Sequence, residues 1–237
     1  MLSARGPRAI RAPCRRQPAG PRPLRGCPRP SPEPITPDLF AAQAAIWDTR
    51  PLPQPLSEGI AAAIAARIVL EPTWTVLAFG ARTGLLTGHL ATKVRSVLAV
   101  DVSPAMLAPL AAKPALQDRV EPACRDLLVA PLDRRVDLIV SALAMHHVED
   151  TARLLRTLYA HLVHGGPVAL ADLDSEAGDF HPPGVGGGSH HGFDRAALAG
   201  QLRDAGFVDV AIETACVVDR DGRRYGVFLA PAARRGP

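Results

Sequence analysis

Short apolar runs rich in Val and Leu alternate with helical segments from about residue 75 to the end of the chain. Runs of this length are typical of buried strands, and the segments between them have the apolar spacing of helices. Strands joined through helices pair in parallel, and their continuous apolar character predicts that both faces of the sheet are covered. The alternation therefore predicts an α/β fold built on a mostly parallel sheet.

The predicted elements cover the chain from about Pro37 onward. We expect strands at 75–79, 96–100, 119–124, 136–142, 167–171, 208–214 and 225–230. We expect helices at 38–48, at 57–70 with Ser57 as its N-cap, and at 85–93, 104–113, 151–162 and 194–205. Only the short polar stretch DRDGRR separates the last two strands, which predicts an antiparallel hairpin.

The basic residues are concentrated at the N-terminus. The first 32 residues contain eight arginines and no acid, and the whole chain has a net charge of +4, so residues 33–237 carry −4. A mildly acidic domain argues against a nucleic-acid-binding surface. The N-terminal segment is also rich in proline, which predicts disorder. We therefore expect a disordered tail at 1–36, a folded domain at 37–231 and a short C-terminal tail at 232–237.

The role of the N-terminal tail has two interpretations. An Arg-rich, acid-free start is typical of mitochondrial transit peptides, but prolines at 7, 13, 18, 21 and 23 would break the amphipathic helix of such a signal. The alternative is a non-functional extension. The four cysteines are far apart, which suggests neither a disulfide framework nor a zinc site. No apolar run approaches the roughly 18–20 residues that span a bilayer. We expect a cytoplasmic protein, with a mitochondrial location as the alternative.

A candidate nucleotide site follows the first predicted strand. Gly80 and Gly84 in the loop FGARTG allow a tight turn and close approach of a ligand to the backbone. Asp101 ends the second strand, where a carboxylate can bind the two hydroxyls of a ribose. Because Ser103 offers the N-cap of the next helix, Asp101 is free for a ligand. Asp126 ends the third strand, within reach of an adenine amino group or simply in a solvated loop.

Two histidines follow the fourth predicted strand. The segment DLIVSALAMHHVED runs from an apolar strand through Ser141 to His146 and His147. This order brings imidazoles to the carboxyl edge of the sheet, where open α/β sheets bind ligands. The alternative is a polar surface turn.

These motifs, in this order and spacing, resemble the class I S-adenosylmethionine-dependent methyltransferases. The stretches that carry the resemblance are VLAFGARTGLLTGHLA, VLAVDVSPAMLAPL, DLIVSALAMHHVED and LVHGGPVALADLD. The similarity extends over residues 38–230 and is greatest to the small-molecule branch that includes the ubiquinone and menaquinone C-methyltransferases. It implies a Rossmann-like seven-stranded sheet with an antiparallel last strand. It also implies S-adenosyl-L-methionine as cofactor and a small-molecule acceptor as partner.

The resemblance also implies roles for individual residues. Gly80 and Gly84 would line the methionine part of the cofactor, Asp101 would bind the ribose and Asp126 the adenine. Ser141 would lie near the sulfonium. The full set of implied cofactor contacts is Gly80, Ala81, Gly84, Asp101, Val102, Met106, Asp126, Leu127 and Ser141.

The loop departs from the family pattern at two positions. Ala78 replaces an acid that helps to hold the charged amino group of the methionine, and Arg82 replaces a glycine. A lost charge-assisted hydrogen bond costs roughly 1.5–3 kcal/mol. If position 82 needs a positive φ, a non-glycine residue costs about 1–2 kcal/mol there. The Arg82 side chain either fills the pocket or turns outward. A catalytically impaired protein of the same fold, acting as a binding or scaffold partner, is therefore the alternative function.

Candidate bases come from the segments that follow the strands. We expect His146 and His147 to be catalytic, because transfer to a weak nucleophile needs a base. The segment ADLDSEAGDFHPPGVGGGSHHGF combines acids and histidines with a glycine run that is typical of a lid. Its histidines His181, His190 and His191 are candidates for contact with the acceptor. No fixed metal-ligand spacing occurs, so we expect no metal.

Overall fold

The computed structural model describes residue 38, residues 40–181 and residues 188–237. The expected disordered tail and most of the glycine run of the expected lid lie outside these residues. Six helices are described: α1 (Ala41–Ala44), α2 (Pro53–Arg67), α3 (Leu85–Ala91), α4 (Pro104–Ala112), α5 (Thr151–His161) and α6 (Arg195–Asp204). The strands are β1 (Thr75–Phe79), β2 (Ser96–Asp101), β3 (Val120–Cys124), β4 (Leu138–Ala142), β5 (Pro167–Leu173), β6 (Phe207–Val208), β7 (Glu213–Arg220) and β8 (Arg223–Arg234).

The strands form one mixed sheet in the order β3-β2-β1-β4-β5-β8-β6, with β7 also paired to β8. The five strands from β3 to β5 are parallel, and β8 runs antiparallel to its neighbours β5, β6 and β7. The chain order reverses direction across the sheet at β1, between β2 and β4. This is the switch point at which an open α/β sheet leaves a crevice for ligands.

Two hydrophobic clusters cover the two faces of the sheet. Alternate residues of β1 point to opposite faces, so Val76 belongs to one cluster and Leu77 to the other. Residues of α2, α3 and α4 pack in the first cluster, and residues of α5 and α6 pack in the second. The parallel strands are thus buried on both faces, as their apolar composition predicts.

The structure confirms the general architecture and corrects several details. The expected strand at 208–214 is two strands, β6 and β7, which makes eight strands where we expected seven. The helix expected at 38–48 is reduced to α1 and a 3-10 turn at Trp47–Thr49. Ser57 is not an N-cap, because α2 begins at Pro53, whose fixed φ suits the first helical turn. The buried Ser57 hydroxyl instead donates to the carbonyl of Gln54.

Side-chain caps stabilise the N-termini of three helices that follow strands of the sheet. Ser103 accepts from Met106 N at the start of α4, as predicted, and Asp150 and Asp194 cap α5 and α6 in the same way. The predicted hairpin is also present, as β7 and β8 joined by Asp221 and Gly222. Within the described residues, no helix has the length and hydrophobicity needed to cross a bilayer.

Candidate active site

The loop after β1 turns sharply through three residues with positive φ. Gly80 and Gly84 have φ values of 64° and 82°, and Arg82 lies between them at 49°. Both glycines have close neighbours, because a Cβ at Gly80 would overlap that of Ala144 and one at Gly84 would lie 2.8 Å from the Leu110 side chain. The family glycine that Arg82 replaces is therefore a position with a left-handed backbone, and arginine is strained there by about 1–2 kcal/mol.

Asp101 holds this loop against the end of β2. Its carboxylate accepts from the backbone N–H of Arg82 at 2.8 Å and from that of Ser103 at 2.9 Å. The carboxyl group is buried, and burial raises its pKa, while the two backbone hydrogen bonds and the Arg82 charge lower it. Each oxygen keeps one acceptor position, so Asp101 can organise the loop and bind a ligand hydroxyl together.

The Arg82 side chain turns inward. Its guanidinium donates to the carbonyl of Leu143, lies 3.5 Å from His147 Nε2, and sits 5.0 Å from the ring centroid of Trp47. Burial lowers the pKa of Arg82, and the charges of Asp101 and Asp172 only partly offset this. Of the two orientations that the sequence leaves open, the structure shows the one that fills space at the site.

Two pockets meet at the Arg82 side chain. The outer pocket has a volume of about 340 Å³ and lies at the ends of β2 and β3, where it is lined by Asp101, Val102, Met106 and Asp126. The inner pocket has a volume of about 130 Å³ and lies between α2, α3 and the ends of β1 and β4. Both are lined by the same set of residues where they meet: Phe40, Phe79, Gly80, Arg82 and His147. A ligand that spans both pockets would contact Arg82.

The inner pocket contains buried polar groups without a partner. Ser141, at the end of β4, and Thr87, on α3, both line it. Among the described residues, neither hydroxyl has a hydrogen-bond partner. A buried hydroxyl without a partner is costly, and a polar ligand would supply the missing bond.

A buried carboxylate orients the first histidine of the site. Asp172 on β5 is 0% exposed, and its Oδ1 lies 2.6 Å from His146 Nδ1. It also accepts from the backbone N–H groups of Met145, His146 and Leu173. Because a carboxylate only accepts, Nδ1 of His146 carries the proton, and Nε2 faces the inner pocket. The resulting Asp–His pair has the geometry in which an acid fixes the tautomer of a base.

Two further histidines surround His146. The Nε2 atoms of His146 and His181 are 3.1 Å apart, and the ring centroids of His146 and His147 are 4.0 Å apart. Burial, together with the neighbouring His146 and Arg82, lowers the pKa of His147 to about 2 and that of His181 to about 4. Both rings are therefore neutral at physiological pH. All three histidines line the inner pocket.

The nitrogen atoms of these three histidines also meet the distance condition for a metal site. One ring nitrogen from each lies within 4.8 Å of the others. The Arg82 guanidinium, 3.5 Å from His147 Nε2, would repel a cation bound there. The arrangement is therefore better suited to hydrogen bonding than to a metal ion.

Other expected site residues lie away from the pockets. Gly84 packs against Leu110, and Leu127 is buried in the core, so Leu128 lines the outer pocket in its place. His190 binds Thr151 Oγ1 and the carbonyls of Val148 and Glu149. His191 lies near Glu176 with its side chain 68% exposed. Of the three histidines expected in the lid, only His181 reaches the inner pocket.

Several residues of the inner pocket have no signal in the sequence. Trp47 and Arg50 come from the segment before α2, Phe180 from the segment after β5, and Arg220 from the end of β7. None of them belongs to a motif with recognisable spacing. They meet only because β7 pairs with β8 and lies next to α2.

Comparisons with known proteins agree with this geometry. Residues 77–168 match a family model described as a methyltransferase domain. The methyltransferase in the complex with the Haloferax volcanii Trm112 activator has a TM-score of 0.70 at 20% identity, over 84% of this chain and 97% of its own. DhpI in complex with SAH has a TM-score of 0.65 at 24% identity, over 84% and 94%. The N-methyltransferase NodS from Bradyrhizobium japonicum has a TM-score of 0.60 at 16% identity, over 77% and 98%. A search of the curated proteins found no match.

The strand order, the antiparallel end of the sheet and the site at its switch point define the class. The chain has the class I methyltransferase fold. Residues 77–168 match the methyltransferase domain model, in agreement with the resemblance found in the sequence.

Proposed function

We propose that this protein transfers a methyl group from S-adenosylmethionine to a small-molecule acceptor. The observation that carries the proposal is the contact between two pockets: an outer pocket at Asp101, suited to an adenosine group, and an inner pocket that contains the Asp172–His146 pair. DhpI, a protein of the same fold, was solved with SAH, and a Haemonchus contortus phosphoethanolamine N-methyltransferase with S-adenosyl-L-methionine. The small volume of the inner pocket favours a small acceptor.

The residues present fit most of the cofactor. Asp101 would bind the ribose hydroxyls, Met106 and Val102 would contact the adenine, and Asp126 would meet its amino group. The unpartnered hydroxyls of Ser141 and Thr87 line the inner pocket, where each would form a hydrogen bond with a polar group of the cofactor. Two features oppose binding: Ala78 supplies no acid for the amino group of the methionine, and the Arg82 side chain lines both pockets, so its rotamer would change to admit the cofactor.

The methyl group of this cofactor is already activated on a sulfonium, so the protein has to align the acceptor and, where the acceptor is weakly nucleophilic, accept a proton. His146 is placed to do this. Asp172 holds its Nδ1–H, so Nε2 can receive a proton, and the charge that develops on the ring is stabilised by the buried carboxylate. A hydroxyl or amine of the acceptor would replace His181 at His146 Nε2. His147 would remain neutral and close the wall beside it.

Calorimetric titration with SAH tests the proposal, and Val102 offers a substitution that spares the core. Val102 is 61% exposed and lines the outer pocket, whereas Val129 is 79% exposed and lies outside it. We expect SAH to bind with micromolar affinity, Val102→Arg to weaken binding at least tenfold, and Val129→Arg to leave it unchanged. An absence of heat at millimolar SAH would overturn the proposal.

Arg82 favours a second candidate function, a binding protein of the same fold without turnover. If its guanidinium stays against Leu143 and Trp47, the two pockets remain separate. Methylation would then be lost while the pockets still bind small ligands. Tight SAH binding by the unmodified protein would argue against this candidate.

A further inference from the structure

The charged side chains that line the inner pocket are all basic. Three arginines line it, Arg50, Arg82 and Arg220, together with the three histidines already described. Among the described residues that line this pocket, none is aspartate or glutamate. The pocket therefore presents a positive surface, although residues 33–237 as a whole carry a net negative charge.

The three guanidinium groups have few counter-charges. Arg50 donates to Gln43 Oε1 at 2.6 Å, Arg82 to the carbonyl of Leu143, and Arg220 to the carbonyl of Phe180. Within the described part of the chain, neither Arg50 nor Arg82 forms an ion pair. The ion-pair partner of Arg220 is Asp221, at 3.5 Å, and the Asp221 side chain is 90% exposed.

The two acids nearest to Arg82 are already engaged. Asp101 accepts from the backbone of Arg82 and Ser103, and Asp172 is bound to His146 and three backbone N–H groups. Burial still lowers the pKa of Arg82, so these acids do not compensate for its loss of water. A buried cation is stabilised when an anion lies beside it, and the inner pocket has room for one.

Aromatic rings hold these guanidinium groups in place. Arg50 lies 5.3 Å and Arg82 5.0 Å from the ring centroid of Trp47, and Arg220 lies 5.4 Å from that of Phe180. A guanidinium packed on a ring still has N–H groups at its edge, in the fork that binds a carboxylate or phosphate at two points. The apolar side chains of Leu52, Leu56 and Ile60 line the same pocket.

We propose that the inner pocket binds an oxyanion, a carboxylate or a phosphate, that is carried by the methyl acceptor on an apolar or aromatic body. Arg50, Arg82 and Arg220 bind the anionic group, and the leucine and isoleucine side chains contact the body. The assignment of this anion to the acceptor rests on the proposed function. The anion preference of the pocket does not.

Titration with small aromatic probes tests the charge preference. Benzoate and phenyl phosphate carry the oxyanion, and benzamide is a neutral analogue of benzoate with nearly the same shape. We expect the anions to bind at least tenfold more tightly than benzamide, and high salt to reduce the difference. Equal affinities for benzoate and benzamide, or no binding of any probe at millimolar concentration, would overturn the proposal.

Substitution of the arginines tests whether benzoate binds in the inner pocket. Arg50→Gln and Arg220→Gln should each weaken benzoate binding about tenfold, the effect of losing one charge-assisted hydrogen bond. Arg156→Gln, at an exposed position on α5, is the matched control and should have no effect. Thermal unfolding of each variant shows that it is folded. Benzoate binding that is unchanged in both pocket variants would place the anion elsewhere and contradict the proposal.

Competition with SAH separates the two possible sources of the anion. If benzoate still binds to the protein saturated with SAH, the anion site belongs to the acceptor, as proposed. If SAH displaces benzoate, the arginines bind the carboxylate of the cofactor, and the acceptor assignment is wrong. Benzoate binding without any SAH binding would leave the anion preference intact and refute the proposed function instead.

Discussion

At the scale of single residues, Arg82 affects both the conformation of the loop after β1 and the junction of the two pockets. The structure gives it a left-handed backbone at φ 49° and turns its side chain to the junction of the two pockets. Asp101 stabilises this conformation by accepting from the Arg82 N–H. A single residue therefore both strains the loop after β1 and supplies positive charge to the inner pocket.

Replacing Arg82 with glycine should have two opposite effects on binding. Arg82→Gly removes the guanidinium from the junction and relieves the left-handed strain, so SAH affinity should rise at least tenfold, or by about 1.4 kcal/mol. Benzoate affinity should fall, because a cation of the inner pocket is lost. Calorimetry measures both.

A second left-handed residue provides the control for strain. Asp209 has φ 54°, is exposed and lies outside both pockets. Asp209→Gly should relieve the same backbone strain without changing SAH affinity. If Arg82→Gly also leaves SAH affinity unchanged, then the Arg82 side chain does not obstruct the cofactor.

At the scale of elements, the β7–β8 hairpin carries Arg220 to the inner pocket. Its two-residue turn, Asp221 and Gly222, has φ values of 50° and 76°, the positive values that type I′ turns require. The register of β7 on β8 follows from this turn. The turn chemistry thus positions a residue that is more than a hundred residues away in sequence from the loop after β1.

Replacing glycine with alanine at two positions should change the free energy of unfolding in opposite directions. Gly222→Ala places a side chain on a left-handed residue and should destabilise the protein by about 1–2 kcal/mol. Gly200→Ala lies inside α6 and should stabilise it by roughly 0.5–1 kcal/mol. A Cβ at either position meets no atom within 4 Å, so packing does not differ. Denaturant unfolding measures both, and equal signs would show that backbone conformation is not the cause.

At the scale of the whole molecule, the partly buried histidines connect the site to stability. His147 and His181 have their pKa lowered to about 2 and about 4 in the folded protein. In the unfolded chain, histidine titrates near its ordinary pKa of about 6.5. Between these values the unfolded state binds more protons than the folded state. The free energy of unfolding therefore falls as the pH decreases below about 6.5.

The free energy of unfolding should change with pH by up to about 1.4 kcal/mol per pH unit for each such histidine. The change is smaller where water reaches the ring. Urea unfolding between pH 7 and pH 5, a range set by the histidine pKa of about 6.5, measures it. His147→Gln should reduce the slope, and His164→Gln, at an exposed position, should not. The raised pKa of Asp101 acts in the opposite sense in all variants and cancels from the comparison. A slope that is unchanged in His147→Gln would contradict the assignment of a neutral His147.

What the sequence by itself determined is the local part of the structure. The alternation of strands and helices predicts the parallel sheet, and the short polar stretch DRDGRR predicts the hairpin. Ser103 before Pro104 predicts the N-cap of α4. These features depend on a few neighbouring residues, whose backbone preferences and hydrophobic period act over short distances. The positions of Gly80 and Asp101 at the site follow from the order of the strands.

Only the tertiary structure decided how distant side chains combine. The sequence left the direction of Arg82 open, and the Leu143 carbonyl and the Trp47 ring determine it. The pairing of Asp172 with His146 depends on the register of neighbouring strands. The presence of Arg50 and Arg220 in one pocket depends on the packing of α2 against β7. Such contacts are set by burial and by partners far away in the chain, so no local pattern encodes them.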